Sequence, residues 1–452
     1  MAAPIAPQAS GRRASAGGSR MPQRGAATLV VVLVLFFIVA LVAAYTSRNL
    51  IFEQRTSANQ YRSTQAFEAA EAGLEWALTM LNSGRIDASC AAHDDPATVD
   101  ESFRLRYLDI APDSGRISAR LRAGGAPRQA GCVFDGAAWQ CSCPTDAAPA
   151  LAAPAGTGSF PAFVLRFHDR TPDAVPVDYP AGVVRIEATG CTRLDADTLC
   201  AADTASGDGR ATATIVAALR SALPTPPAAA VTVHGTPGRQ PADSATLLAV
   251  NDDRDSGGIT VRAGMPLPND FGDWLSLRSL PGTPGEQSIV QNEAALRNLD
   301  AARMFNTLFG TGRDTYRLQP AAVRVDCNVD CSAGTVRDLA RLNPGRVLWI
   351  DGDLDIGIAD PIGSADFPVT LVVDGSVTVS NANARLHGLV YQTGGTWSNL
   401  GGLTLLGALV AEADLTLTGI GDSNVVRDAA VLNLLHRSSG SFVRVPGSWR
   451  DF

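Results

Sequence analysis

Lysine is absent from this chain, and all 37 basic side chains are arginine. That excludes Schiff-base and lysine-nucleophile chemistry. Histidine is sparse, with five residues scattered at positions 93, 168, 234, 387 and 436. No HExxH, GxSxG, phosphate-loop or dinucleotide fingerprint occurs. Gly-rich pieces such as TGGTW, 393–397, lack the strand–turn–helix setting that phosphate binding needs. No concentrated basic face is expected at a net charge of -8, which argues against a nucleic-acid surface. What remains is globular in composition, with 46% apolar and 18% charged residues, and 452 residues are enough for two or three folding units.

Eight cysteines are present: Cys90, Cys132, Cys141, Cys143, Cys191, Cys200, Cys327 and Cys331. All lie C-terminal to an apolar run at 26–45, and an even set of thiols there reads as disulfides in an oxidising compartment. Sequence proximity pairs Cys191 with Cys200 and Cys327 with Cys331. The other four can pair in three ways. A zinc cluster is the competing reading, but no histidine stands at ligand spacing beside them, so neither metal nor cofactor is expected.

The run itself, AATLVVVLVLFFIVALVAAY, is uncharged. As a helix its twenty residues cross the ~30 Å hydrocarbon layer of a bilayer. Arg12, Arg13, Arg20 and Arg24 precede it without an acidic residue, which keeps that end cytoplasmic and sends the rest to the periplasm. A secretory signal cleaved near Ala43–Ala44 is the alternative. Against it, Ser47 to Ser83 continues in helical composition. Phe67, Ala70, Leu74, Ala77, Leu78 and Leu81 form a stripe, with Glu68, Glu71 and Glu75 beside it. An unbroken helix from Ala26 to Ser83 would be ~87 Å long.

QRGAATLVVVLVLFFIVALVAAYTSRNLIFEQRTSANQYRSTQAFEAAEAGLEWAL resembles the N-terminal region of PilX-type pilus assembly proteins, over residues 23 to about 80. The carrying features are the basic residue and Gly before the apolar run, the EQR segment with Glu53, and the AFEAAEAGLE block. The resemblance implies a prepilin leader, 1–25, cut by prepilin peptidase between Gly25 and Ala26, with Met21 as a start that leaves the short leader MPQRG. It also implies an assembly helix carrying Val30, Glu53, Phe67, Glu68, Glu71 and Leu74. Major pilins place Glu at the fifth mature position, where this chain has Val30. That eases residence in lipid and removes an attraction between subunits, pointing to a low-copy initiating or tip-proximal pilin.

Downstream, RISARLRA, FPAFVLRFHD, VVRIEATGCT and RATATIVAALRS predict antiparallel strands, the last two as a hairpin. PTPPAAA marks a Pro/Ala linker at 224–230. Two helices are predicted around NEAALRNLDAARMFNTLFG and SAGTVRDLARL. Residues 346–419 repeat apolar strands with Gly352, Gly375, Gly388 and Gly407 at an imperfect period near 20. That pattern suits a parallel β-solenoid, with a sandwich of hairpins as the alternative. DAAVLNLL, 428–435, is expected to cap it, and the terminal PGSWRDF also resembles the endings of longer PilX-type proteins.

DGDLD would set Asp351, Asp353 and Asp355 on one strand face, and NDDRDSGG offers Asp253 and Asp255 as calcium ligands. The first is read as acids facing water on a strand and the second as a solvated turn, and no catalytic residue is assigned.

The expectation is an α+β protein. It comprises a helix at 26–83 that is transmembrane at 26–45, an antiparallel pilin-like head at 84–223, and a mainly β, solenoid-like domain at 231–452. Its function would be that of a non-enzymatic minor pilin of the inner membrane and periplasm, possible partners being other minor pilins, the major pilin, lipid, prepilin peptidase and a tip adhesin. The competing functions are a type II secretion pseudopilin and a membrane-anchored β-solenoid protein that binds or processes carbohydrate.

Overall fold

The computed structural model describes residues 24–97, 100–155, 159–173, 175–194, 199–200, 209–327 and 331–451. The described chain divides into two compact units, the first ending at Tyr61 and the second beginning at Arg62. Helix α1 spans Arg24–Leu81. Within the first unit its described side chains are exposed throughout.

In the second unit, α1 residues 62–81 lie on a six-stranded antiparallel sheet. Ala66, Ala69, Ala70, Leu74, Ala77, Met80 and Leu81 are buried, while Glu68, Glu71 and Glu75 face outward. Phe67 and Leu78 sit at the flanks, half-buried. Small residues on this face let helix and sheet backbones meet closely. A Cβ on Gly190, in strand Val183–Cys191, would lie 2.1 Å from the Ala66 carbonyl oxygen.

The sheet runs in the order Gly440–Arg444, Arg210–Ser221, Val183–Cys191, Ala162–His168, Ala130–Phe134 and Trp139–Ser142. The 183–191 and 210–221 strands form the expected hairpin. Ile117–Ala119 instead pairs with Leu108–Ile110 in a separate ribbon. The outermost strand arrives from the far end of the chain, with Gly440 opposite Ser221. Residues 222–439 are therefore a single excursion that leaves and returns at neighbouring strands. The Pro/Ala stretch 224–230 opens that excursion.

The excursion is a stack of parallel strands in two sheets. Val347–Asp351, Val369–Val373, Ala384–Gln392 and Gly402–Ala411 pair successively and in parallel, as do Leu354–Asp355, Val377–Val379, Thr396–Asn399 and Leu415–Gly419. No hairpin occurs among them. The stack also exceeds 346–419. Ala322–Asp326 extends one end, and strands from 231–290 extend the other.

The chain enters this stack in its middle. Val231–Val233 pairs with Leu409–Ala411, Pro237–Arg239 with Leu415–Leu417, and Thr246–Val250 with Asp422–Val426. From there it builds outward to Ile289–Val290, then passes through helices Ala294–Arg297, Ala301–Phe309 and Arg313–Tyr316. It restarts at Ala322 and builds back to the same seam.

Strands 347–351, 369–373, 384–392 and 402–411 are covered on both faces, so each reads as a continuous apolar run. Leu348, Leu371, Val390 and Leu409 point into the stack. Trp349, Val372, Tyr391 and Val410 meet Phe305, Phe309, Leu432 and Leu435 outside it. Helix Ala429–Ser438 thus lies along a face of the stack rather than capping its end. Helix Ala333–Leu342 packs at the 322–326 end through Ala333 and Val336.

The glycine period near 20 mixes two columns. Gly388 is in register with Gly407, whereas Gly375 lies over Gly352 and Gly395 over Gly375. At Gly407 φ is +143°, and an added Cβ would stand 1.8 Å from the Gly388 carbonyl oxygen.

Next to the seam, the buried Glu412 accepts a hydrogen bond from the Tyr391 hydroxyl at 2.6 Å and meets Arg313 at 3.2 Å. Burial raises its carboxyl above the ordinary range, more than Tyr391 and Arg313 lower it.

Gly407→Ala should destabilise the second unit by about 3 kcal/mol or more, whereas Gly394→Ala, with open space at its Cβ, should stay within about 0.5 kcal/mol; thermal unfolding of the two variants in detergent checks this. A raised native pKa at Glu412 means the folded state holds the proton longer than the unfolded one. That contribution is present below the unfolded carboxyl pKa and is lost as pH rises through the native value. Glu412→Gln cannot ionise, so its melting temperature should gain on that of the wild type as pH rises from about 4.5 to 7; a gap that moves the other way would show the Arg313 attraction to dominate.

Candidate functional site

Helix α1 combines two surfaces. Val30 is 58% exposed amid a continuous run of exposed Leu, Val, Phe and Ile side chains from Leu29 to Val42. It is the one helix among the described residues that is long and apolar enough to cross a membrane. Thr46 returns its hydroxyl to the carbonyl of Val42 at 2.9 Å, so its polar group is satisfied within the helix. Arg48 lies over the Phe52 ring at 6.0 Å, one turn on. Glu53 is exposed. Gly25 and Ala26 lie in the first turn of α1, while the leader residues 1–23 fall outside the described residues.

The other assembly-helix candidates divide by side. Leu74 is in the core, and Glu68 and Glu71 face outward. Phe67 meets Trp449 edge-to-face at 5.9 Å. Trp449 belongs to the terminal segment, whose Arg450 backbone pairs with Thr214, and Arg444 reaches Glu75 at 3.3 Å. The C-terminal residues thus flank the seated half of the helix.

The end of α1 is held by a residue that helical periodicity does not reveal. The last turn contains no basic side chain. Arg104, only 1% exposed, donates from Nε to the Leu81 carbonyl at 2.9 Å and from Nη2 to that of Gly440 at 2.9 Å. Its Nη1 reaches the carbonyls of Gly345 and Ser438, each at 3.4 Å. Burial pushes this guanidinium down to about 10, still charged at neutral pH. Arg106 likewise donates to the carbonyls of Ile86, Asp87 and Cys143.

Four disulfides close the cysteine set: the two local pairs, Cys132–Cys141 across a hairpin, and Cys90–Cys143. Cys90–Cys143 ties the segment after α1 to the sheet across 53 residues. In the chain-entropy account that is worth about 4 kcal/mol.

The acidic candidates are engaged by neighbours. Gly352 turns the chain between Asp351 and Asp353, so DGDLD does not share one strand face. Asp351 takes Arg317 and Arg324, Asp353 accepts the Ser376 amide at 2.7 Å, and Asp355 accepts the Ser380 hydroxyl at 2.7 Å. In 251–258, Asp253 accepts from Arg427, and its carboxyl is lowered by the Asp255 amide, Ser256 and Arg427 against the effect of burial. The Asp255 amide donates to Asp253. Among the described residues no cluster of His, Cys, Asp or Glu is arranged to hold a metal ion.

Residues 24–75 match the sequence model of the PilX N-terminal family. No curated protein matches the chain. Among solved structures, the competence-associated pilin ComZ from Thermus thermophilus aligns over 86% of this chain and 97% of its own, at 12% identity and a TM-score of 0.20. A glycosylated ice-binding protein, LeIBP, from an Arctic yeast aligns over 44% of this chain and 92% of its own, at 12% identity and a TM-score of 0.19. The family match thus falls within helix α1, Arg24–Leu81.

Proposed function

We propose that this chain is a minor pilin, a non-enzymatic subunit that takes part in assembling, priming or tipping a type IV pilus. The observation that carries the reading is a coincidence of segments. The PilX N-terminal match, 24–75, falls on one helix that is exposed and apolar at its start and seated in a folded head at its end.

In this reading prepilin peptidase cuts between Gly25 and Ala26, and the helix remains in the inner membrane as a single span. The body is periplasmic, which fits the four disulfides. Val30, in place of the glutamate of major pilins, suits a low-copy position. Glu53, Glu68 and Glu71 offer polar contacts to other minor pilins and the major pilin, while Phe67 and Leu74 hold the helix to its own head. The stacked excursion is a solenoid-like module displayed by that head, and a tip adhesin is the partner class it would meet in the extracellular pilus.

Deleting the gene should remove most surface pili and twitching. Gly25→Val should leave the segment before residue 26 attached, as read by N-terminal sequencing of the membrane fraction, and should reproduce the deletion. Full piliation and motility in the deletion strain would overturn the assembly role.

A further inference from the structure

Three adjoining cavities follow the seam between the head and its excursion. The first, 680 Å³, opens beside the end of α1 at Asn82, Arg85 and Arg346. It shares Arg85 with a second of 170 Å³ that contains Arg341. That one shares Pro344 and Phe367 with a third of 360 Å³, which reaches the buried Arg104. Together they form one groove.

Its charge is lopsided. Arg85, Arg104, Arg120, Arg341 and Arg346 line it with His93, against Glu75, Asp109 and Asp366. Several of these are already paired: Arg120 with Glu101, His93 with Asp100, and Glu75 with Arg444. Among the described residues, Arg346 has only neutral acceptors, the Pro320 carbonyl and the Asn343 side chain. Among the described residues, the hydrogen-bond acceptors of Arg104 are all backbone carbonyls. Burial lowers Arg346; burial and repulsion from Arg341 lower Arg85, against the opposing pull of Asp100 and Glu101. Between the cations lie apolar stations at Leu78, Pro344, Leu434 and Phe367, the last 53% exposed.

We propose that this groove docks an extended acidic segment of a partner protein, its carboxylates meeting Arg341 and Arg346 and an apolar side chain resting on Phe367. Charge complementarity selects the sign, because a carboxylate there would meet the exposed Arg341 and an Arg346 whose acceptors among the described residues are neutral. The alternation of cation and apolar station selects a side-chain-bearing chain over a free anion. The inference stands apart from the assembly reading, since it concerns the groove and not the apolar helix.

The test uses the full chain in detergent micelles and a fluorescein-labelled octapeptide alternating Glu and Leu, with its Gln-for-Glu counterpart. Anisotropy should show saturable binding of the acidic peptide and about tenfold weaker binding of the Gln form. Arg341→Glu, on an exposed side chain, should weaken the acidic peptide about tenfold or more, and Phe367→Ser about threefold. Arg278→Glu, exposed on a strand outside the groove, should leave it unchanged. The proposal falls if the wild type gives no saturable binding, if the Gln peptide binds equally, or if Arg278→Glu weakens binding as much as Arg341→Glu. Displacement of the peptide by phosphatidylglycerol vesicles at matched charge would assign the groove to a lipid surface and equally overturn it.

Discussion

Arg104 joins four parts of the folded body at one guanidinium. It takes the carbonyl that ends α1, the turn at Gly345, the end of helix Ala429–Ser438 and the first residue of the last head strand. Helix C-termini leave carbonyls without partners and carry partial negative charge, so a desolvated cation is stabilised where two such ends converge. Each hydrogen bond to a charged donor is worth about 1.5–3 kcal/mol. Lysine could not replace it, because a single ammonium lacks the planar fork that spans separated acceptors. Phe442 lies against the same guanidinium at 5.4 Å, and its backbone is bonded at both N–H and C=O by the Asn82 side chain. The helix seat, the returning strand and the start of the stack are fixed as one arrangement.

Much of the helix was legible in the sequence because its signals are local. The uncharged run needs only length and composition, and the Ala70–Leu74–Ala77–Leu81 stripe needs only a 3.6-residue period. The local cysteine pairs were readable from proximity. Arg104 was not, since nothing in FRLRY distinguishes a buried arginine from a solvated one until distant carbonyls surround it. Likewise Gly190 becomes meaningful only once the Ala66 backbone lies against it.

The stack shows the same division. Continuous apolar runs between glycine turns disclose strands buried on both sides. They do not disclose order in space, because pairing 231–233 with 409–411 leaves no mark in either segment. Chain order suggested a second body following a linker. The 440–444 strand, which shows no strong signal of its own, closes the head sheet beside 210–221.

An excursion whose two ends are neighbours in one sheet imposes few demands on what lies between them. Ser221 and Gly440 stay side by side whether the intervening chain is long or short. Exposed connections with adjacent ends are where inserted domains are best tolerated. The head can therefore hold an insert of any length between these two strands with no change to the helix or its seat.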